Sequence, residues 1–140
     1  MRVFPDTNVL ARAFGTRGLC ADVLRVILAE HELVSGEVVI EELRGVLRRK
    51  FGVPADTVQE IESFIRGYWV EAKPHQLPNL RLSDRGDLIV VGSAINARAE
   101  ILITGDHEIL ALKPQPERLR IVSPREFWNL TLRLAGRRRP

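Results

Sequence analysis

The chain of 140 residues contains one cysteine, three lysines, few aromatic residues and no long apolar segment. The single cysteine, Cys20, excludes an internal disulfide framework and a zinc site built from thiolates. The longest apolar runs, such as Leu88–Val91 and Ile101–Ile103, are far shorter than the roughly 20 residues that a membrane-spanning helix needs. The first residues also lack the basic segment and apolar stretch of a signal peptide. These absences predict a soluble, cytoplasmic protein with no membrane partner.

The composition is that of an ordinary globular protein, with 45% hydrophobic and 28% charged residues. Its length suits one domain, which we expect to span residues 1–134, followed by a short basic tail over residues 135–140. Arginine supplies all but three of the 21 basic residues, and 18 acidic residues leave a net charge of only +3. The excess of arginine suits phosphate binding, but nucleotide bias in a genome or a thermophilic source is the simpler explanation.

Short apolar strands alternate with amphipathic helices along the chain. The strands are predicted at Arg2–Phe4, Leu33–Ser35, Tyr68–Val70, Ile101–Thr104 and Arg120–Val122. The helices are predicted at Thr7–Phe14, Cys20–Glu30, Glu37–Arg49, Asp56–Arg66, within residues 83–97, at His107–Leu112 and from Ser123 onward. This alternation predicts a three-layer α/β/α sandwich with a central parallel sheet of about five strands. In such a fold the active site lies at the carboxyl ends of the strands.

Acidic residues occur in four separate segments that this fold brings to one edge of the sheet. Asp6 follows the first strand and Asp106 follows the fourth. The remaining candidates lie in two helices, Glu41 and Glu42 in one, Asp84 and Asp87 at the start of the other. Clustered carboxylates raise one another's pKa, and a hard cation can neutralise them. Ligand sets made only of oxygen favour magnesium or manganese, which can activate water for phosphodiester hydrolysis.

Each of these acids also has a purely structural explanation. One explanation of Asp6 is that it caps the first helix and has no other role. One of Asp84 and Asp87 can cap the helix that they open, and Asp106 can belong to an ordinary polar turn. The placement of the acids together is therefore more informative than any one of them.

The two adjacent acids, Glu41 and Glu42, cannot both serve one site. Neighbouring residues on an α-helix point about 100° apart, so at most one of the two side chains faces the site comfortably. The other is then a solvated residue on the helix surface.

Several motifs, taken in order, resemble those of PIN-domain ribonucleases. Asp6–Leu10, directly after the first strand, is similar to the opening motif of that family. Val39–Leu47 is similar to the second motif, where an acid stands directly before a leucine. Asp84–Asp87 and Thr104–Asp106 resemble the third and fourth motifs. The ending Ser123–Phe127 resembles the VapC-like bacterial and archaeal subgroup, described as toxins of toxin–antitoxin pairs.

The resemblance implies a metal-dependent endoribonuclease that hydrolyses RNA phosphodiesters with Mg²⁺ or Mn²⁺ as its cofactor. It also implies the toxin of a type II toxin–antitoxin pair, with a cognate antitoxin protein as partner. Members of the family usually self-associate, so we expect a homodimer or a higher even oligomer. The alternative is a PIN-like module that binds RNA or protein without cleavage.

Carried over residue by residue, the resemblance implies four catalytic metal ligands, namely Asp6, Glu42, Asp87 and Asp106. Asn8 and Thr104 would be polar supports of these ligands, although both could equally be capping or turn residues. The chain lacks the proline expected two residues after the third acid in this subgroup, which leaves Asp84 as an alternative to Asp87. Asp87 is preferred because it directly precedes the apolar part of its helix. Glu41 is the corresponding alternative in the second motif.

Three further features are candidates for contact with RNA or a partner. The basic segment 44–50 could bind RNA phosphates or could simply end a helix in solvent. His107, beside the fourth acid, could touch a phosphate, although a histidine in a surface turn is the simpler interpretation. Apolar helix surface around Val58, Phe64 or Trp128 could supply the interface of an oligomer.

Overall fold

The fold is a parallel sheet enclosed by helices. The computed structural model describes the backbone of residues 1–138 and the side chains of residues 1–136. The strands are β1 (Arg2–Pro5), β2 (Glu32–Gly36), β3 (Trp69–Glu71), β4 (Ile101–Ile103) and β5 (Arg120–Val122). The helices are α1 (Thr7–Gly15), α2 (Leu19–Glu30), α3 (Glu37–Arg49), α4 (Ala55–Arg66), α5 (Arg85–Asn96), α6 (His107–Leu110) and α7 (Pro124–Arg138). The predicted α/β/α sandwich with a central parallel sheet of five strands is confirmed.

The order of the strands, β3-β2-β1-β4-β5, places β1 at the centre of the sheet. All neighbouring strands are parallel, with Val3 of β1 opposite both Leu33 of β2 and Ile101 of β4. The chain builds outward from β1 to β3 and then returns to the other side of β1 with β4 and β5. The reversal of strand order lies between β1 and β4, where open α/β sheets form their binding crevices.

Both faces of the sheet are covered, which explains why the strands are apolar at consecutive positions. Phe4 and Leu102 belong to one buried cluster, which joins the sheet to helices such as α3, α4 and α5. Val3 and Ile103 belong to a second buried cluster, where Phe127 of α7 and residues of α2 pack against the sheet. Strands buried on two sides need apolar residues on each, and this is the pattern of a parallel sheet.

Helix α7 continues through the position where the sequence predicted the end of the domain. It runs from Pro124 to Arg138, so the predicted boundary after residue 134 falls within a helix. Residues 139–140 of the predicted tail lie outside the described residues. Over residues 1–138, no helix combines the length and the apolar character that crossing a membrane requires.

Helices α3 and α4 are tied together by four charged side chains. Arg44 donates hydrogen bonds to both carboxylate oxygens of Glu62. Arg66 donates to Glu62 at 3.1 Å and to both oxygens of Glu37 at 2.7 and 2.9 Å. The bonds from Arg44, followed by those from Arg66, lower the pKa of Glu62 to about 2. This network holds α3, the helix of Glu41 and Glu42, against its neighbour.

We expect Glu62→Gln to destabilise the protein at pH 7 by about 1 kcal/mol, the scale of an ion pair near the surface. A carboxyl group whose pKa is lowered by folding stabilises the protein fully above its unfolded pKa, near 4.5, and this stabilisation disappears as the pH falls toward 2. Urea denaturation between pH 7 and the lowest pH at which the protein stays folded measures the effect. Glu60→Gln, an exposed position on the same helix, is the control. A Glu62 effect that does not shrink with falling pH would contradict this account.

Candidate metal centre

Asp6 and Asp106 stand at the carboxyl ends of the two central strands. Asp6 follows β1 directly, and its backbone N–H donates to the carbonyl oxygen of Ile103 at the end of β4, at 2.8 Å. Each acid also caps the next helix, a role that the sequence predicted for Asp6, whereas for Asp106 it predicted an ordinary polar turn. Oδ1 of Asp6 accepts from the N–H of Thr7 at 2.7 Å, and Oδ1 of Asp106 accepts from the N–H of Ile109 at 3.0 Å. Capping therefore fixes both carboxylates at the point where the strand order reverses.

Thr104, which is fully buried, connects these two acids. Its hydroxyl donates to Oδ2 of Asp6 at 2.8 Å and accepts from the N–H of Asp106 at 3.1 Å. Burial raises the pKa of Asp6 above its usual value, and the negative charge of Asp106 raises it further. The hydrogen bonds from the Thr104 hydroxyl and from the backbone N–H of Thr7 oppose this rise. The protein thus holds a half-buried carboxylate where a second negative charge acts on it.

Glu42 reaches the same place from α3. Its Oε2 accepts a hydrogen bond at 3.1 Å from the hydroxyl of Thr7, a buried residue at the start of α1. Burial raises the pKa of Glu42, and the negative charges of Asp6, Asp84 and Glu41 raise it further, against the lowering effect of the Thr7 bond. The hydrogen bond from Thr7, which is adjacent to Asp6 in the sequence, therefore directs the Glu42 carboxylate toward Asp6.

Glu41 lies outside this group, although it adjoins Glu42. Its Oε2 forms an ion pair at 2.8 Å with Nζ of Lys73, in the segment that follows β3, and both side chains are about half exposed. The divergence of adjacent helical residues thus sends one glutamate toward Asp6 and the other toward solvent and a lysine.

Asp84 and Asp87 share the start of α5 but differ in what they do there. Asp84 is the helix cap, and its Oδ1 accepts from the N–H of Asp87 at 3.2 Å. The pKa of Asp87 is raised to about 6, first by burial and then by the charges of Asp106, Asp84 and Asp6. Asp87 is therefore the acid on which the charges of the others converge, while Asp84 adds its charge from the exposed end of the helix.

Thr7 and Glu108 are parts of this region that the sequence did not assign to the site. Thr7 follows the first acid, but nothing in the sequence shows that its hydroxyl reaches Glu42. The carboxylate of Glu108 accepts from the N–H and hydroxyl of Ser83, at 2.9 and 2.7 Å. Those bonds lower the pKa of Glu108 and fasten the loop before α5 to α6, next to Asp106.

A groove of about 890 Å³ opens beside the acids. Of the four candidate ligands, Asp106 lines it, together with Asn8, and the basic residues Arg12, Lys50 and His107 line it as well. We call it the basic groove after those three residues. Asn8 makes no side-chain hydrogen bond to an acid within residues 1–136, so its place in the structure is the groove wall.

The donor set that these side chains offer is compatible with a hard divalent cation. It consists of carboxylate and hydroxyl oxygens with no cysteine or histidine among them, which favours magnesium or manganese over zinc. Over the side chains of residues 1–136, no three acidic, histidine or cysteine residues already form a cation-binding cluster. The carboxylates act on one another through their charge, most clearly at Asp87, whose pKa the charges of Asp106, Asp84 and Asp6 help to raise.

Comparison with known proteins places this geometry in a family. A family model described as PIN domain matches residues 2–108, the segment from β1 to α6 that carries all of the acids discussed above. The chain also resembles a chain in the crystal structure of VapBC2 from Rickettsia felis bound to a DNA fragment from their promoter. That match has a TM-score of 0.64 and 16% sequence identity, and it covers 88% of this chain and 98% of the other. No curated protein sequence matches.

Proposed function

This chain belongs to the PIN-domain family, and we propose that it is an endoribonuclease that hydrolyses RNA phosphodiesters with Mg²⁺ or Mn²⁺. PIN domains are generally nucleases that use divalent metal ions. The observation that carries the proposal is the hydrogen-bonded placement of acids from separate segments at the reversal of strand order. The hydroxyl of Thr104 links Asp6 to Asp106, and the hydroxyl of Thr7 binds Glu42. Burial and the charges of Asp106, Asp84 and Asp6 raise the pKa of Asp87 to about 6. Acids kept in one another's field cost stability, so a function that needs their negative charge is the best account of them.

The four acids would hold the metal, and the two threonines would position two of them. The bond from Thr104 directs Oδ2 of Asp6, and the bond from Thr7 directs Oε2 of Glu42, so neither carboxylate rotates freely. A bound divalent cation would supply a lowered pKa for attacking water and charge stabilisation for the phosphate. Asp84 stays the alternative to Asp87 as a ligand, and the helix cap it provides accounts for its present position.

The experiment that tests the proposal is an RNA cleavage assay on the purified chain. Single-stranded RNA should be cut in magnesium or manganese and stay intact in EDTA. Binding without cleavage under both conditions would favour the alternative, a PIN-like module that recognises RNA or protein. Cleavage that persists in EDTA would contradict the metal assignment while leaving the nuclease assignment in place.

We further propose that the chain is the toxin of a type II toxin–antitoxin pair with a cognate antitoxin as its partner. The motif resemblance supports this role, and the structural match is to a chain of a VapBC2 complex. A small neighbouring reading frame should encode the antitoxin. Expression of the chain alone should arrest growth, and coexpression of the neighbouring product should restore it. Arrest by a variant without cleavage activity would count against a ribonuclease toxin.

We expect a homodimer or a higher even oligomer. The structure narrows the list of residues that could form its interface. Val58, named above as one possibility, is buried in the core and unavailable. Phe64 and Tyr68 are 42% and 40% exposed, and their rings pack edge to face at 5.5 Å. Adjacent exposed aromatic rings favour association. Light scattering should give at least twice the 15.8 kDa of one chain, and Phe64→Ser should lower that mass. A monomer at micromolar concentration would contradict this expectation.

A further inference from the structure

We infer that the basic groove binds a nucleotide of single-stranded RNA adjacent to the phosphodiester that is cut, an inference that rests on the proposed nuclease function. The groove shares its wall with the site, because Asp106 lines it together with Asn8 and Gly105. Its volume of about 890 Å³ lies within the range of pockets that bury small organic ligands, roughly 300–1,000 Å³. A strand whose scissile phosphate lies at the acids can therefore continue directly into the groove.

The cations of the groove are available for a phosphate. Arg12 and Lys50 are exposed, and neither forms an ion pair with a carboxylate among the described side chains. By contrast, Arg66 and Lys73 on other surfaces are each engaged by glutamates. A guanidinium and an ammonium that hold no internal anion can contact phosphate oxygens without first breaking an ion pair.

Two further observations place the Arg12 side chain toward the groove. Cys20, which lines the wall, has a pKa that burial raises and that the charge of Arg12 partly lowers. Arg12, in the last turn of α1, and Thr16, directly after its end, both line the groove and are about one helical turn apart. The positive charge of Arg12 is therefore felt within the groove that a bound RNA strand would enter.

An aromatic ring contributes to the apolar lining of the groove. Phe51 is partly buried and lines the groove just after the end of α3. Its ring lies so close to Gly15 that a Cβ there would be 2.8 Å from both Cγ and Cδ1 of the ring. The absence of a side chain at Gly15 therefore lets the ring pack against the end of α1. Bases stack on such rings with little dependence on sequence.

The combination favours single-stranded RNA over an acidic protein segment. Unpaired cations suit both ligands, but the aromatic surface of Phe51 suits a base. A phosphodiester at the acids belongs to the same polymer that the cations and the ring would hold. One strand of RNA therefore satisfies each part of the groove.

The test measures binding and cleavage separately. Affinity for a labelled single-stranded RNA is measured by fluorescence anisotropy in EDTA over a range of salt, and kcat and KM are measured in magnesium. Arg12→Gln with Lys50→Gln should weaken binding about tenfold or more and raise KM, with kcat nearly unchanged. The slope of log affinity against log salt should become shallower by about 0.7 for each lost phosphate contact. Phe51→Leu should weaken binding several-fold without changing that slope.

The matched control is Arg98→Gln with Arg118→Gln. These arginines line a different cavity, before β4 and β5, so the pair removes the same charge from the opposite edge of the sheet. Affinity and slope should then stay close to those of the parent. An equal loss in both double variants would indicate a general charge effect and would overturn the inference.

The remaining outcomes separate this inference from the proposed nuclease function. Cleavage by the parent with unchanged binding and KM in the groove variants would overturn the groove and leave the nuclease in place. Binding by the parent that depends on Arg12 and Lys50, without cleavage, would overturn the nuclease and leave an RNA-binding groove. A polyglutamate peptide that displaces the RNA as well as unlabelled RNA does would identify an acidic protein as the ligand and overturn the inference.

Discussion

Asp87→Asn is expected to abolish RNA cleavage and, in EDTA, to melt at a higher temperature than the parent. The carboxylate of Asp87 is partly buried and lies in the field of Asp106, Asp84 and Asp6, which is why its pKa rises to about 6. Asparagine keeps the size of the side chain and removes the charge. Cleavage should fall at least about a hundredfold, because the proposal assigns Asp87 as a metal ligand.

The gain in stability should depend on pH in a defined direction. The pKa of Asp87 is higher in the folded chain, about 6, than its ordinary value of 3.8, so the folded state binds the proton more tightly. The parent therefore loses stability as the pH rises from about 4 to about 6, and the variant does not. Above pH 6 the variant should be more stable by about 1–2 kcal/mol after solvent screening is considered. Below pH 4 the advantage should disappear.

Thermal melting across a magnesium or manganese titration completes this experiment. Metal that binds only the folded state stabilises the parent by about 2.7 kcal/mol at 100 times Kd, and the variant should gain less. Asp22→Asn is the control, because it removes a carboxylate from the first turn of α2, where Asp22 pairs with Arg25. Equal metal-induced shifts in the parent and in Asp87→Asn would assign the ligand to Asp84 instead. No shift in the parent would contradict the metal site itself.

Glu42→Gln is expected to lose cleavage by a similar factor, at least about a hundredfold, while Glu41→Gln keeps most of it. The amide oxygen of the introduced side chain could still accept the hydrogen bond from Thr7, so the change removes charge from the site with little change in shape. Glu41 is engaged with Lys73 instead, and its loss should matter only through the field that it adds at Glu42.

The two glutamate variants are matched, because they make the same change at adjacent positions of one helix. Cleavage rates under saturating magnesium, together with melting curves that confirm folding, decide between them. The reverse result would transfer the ligand role to Glu41, and equal losses would mean that the second motif is misplaced. A Glu42→Gln variant that cleaves normally would leave Asp6, Asp106 and the acids at the start of α5 as the candidates.

The amino-acid sequence by itself determined the order and type of the elements. The predicted bounds of α3 and β5, Glu37–Arg49 and Arg120–Val122, agree with the structure, and the other predicted elements differ mainly at their ends. Periodicity and capping involve residues only a few positions apart, and these local interactions can be read from the sequence. Alternation of strands and helices was likewise sufficient to predict a parallel sheet, and with it the shared edge of Asp6 and Asp106.

Only the tertiary structure decided which side chains act on one another at that edge. The placement of β1 between β2 and β4 brings Asp6 against Thr104, 98 positions away in the sequence. The rotation of α3 about its axis sends Glu42 rather than Glu41 toward Thr7, and that rotation is set by which face of the helix packs on the sheet. The motif resemblance favoured Glu42, but adjacency in the sequence alone left both open.

The basic groove depended most strongly on tertiary structure. Arg12, Lys50 and His107 come from three separate parts of the chain, and Phe51 takes its place because the residue opposite its ring is Gly15. Nothing about these residues is periodic, and their common surface arises only when α1, the end of α3 and the loop after β4 meet. Local interactions determine helices and strands one at a time, whereas a binding surface forms only when several of them have packed together.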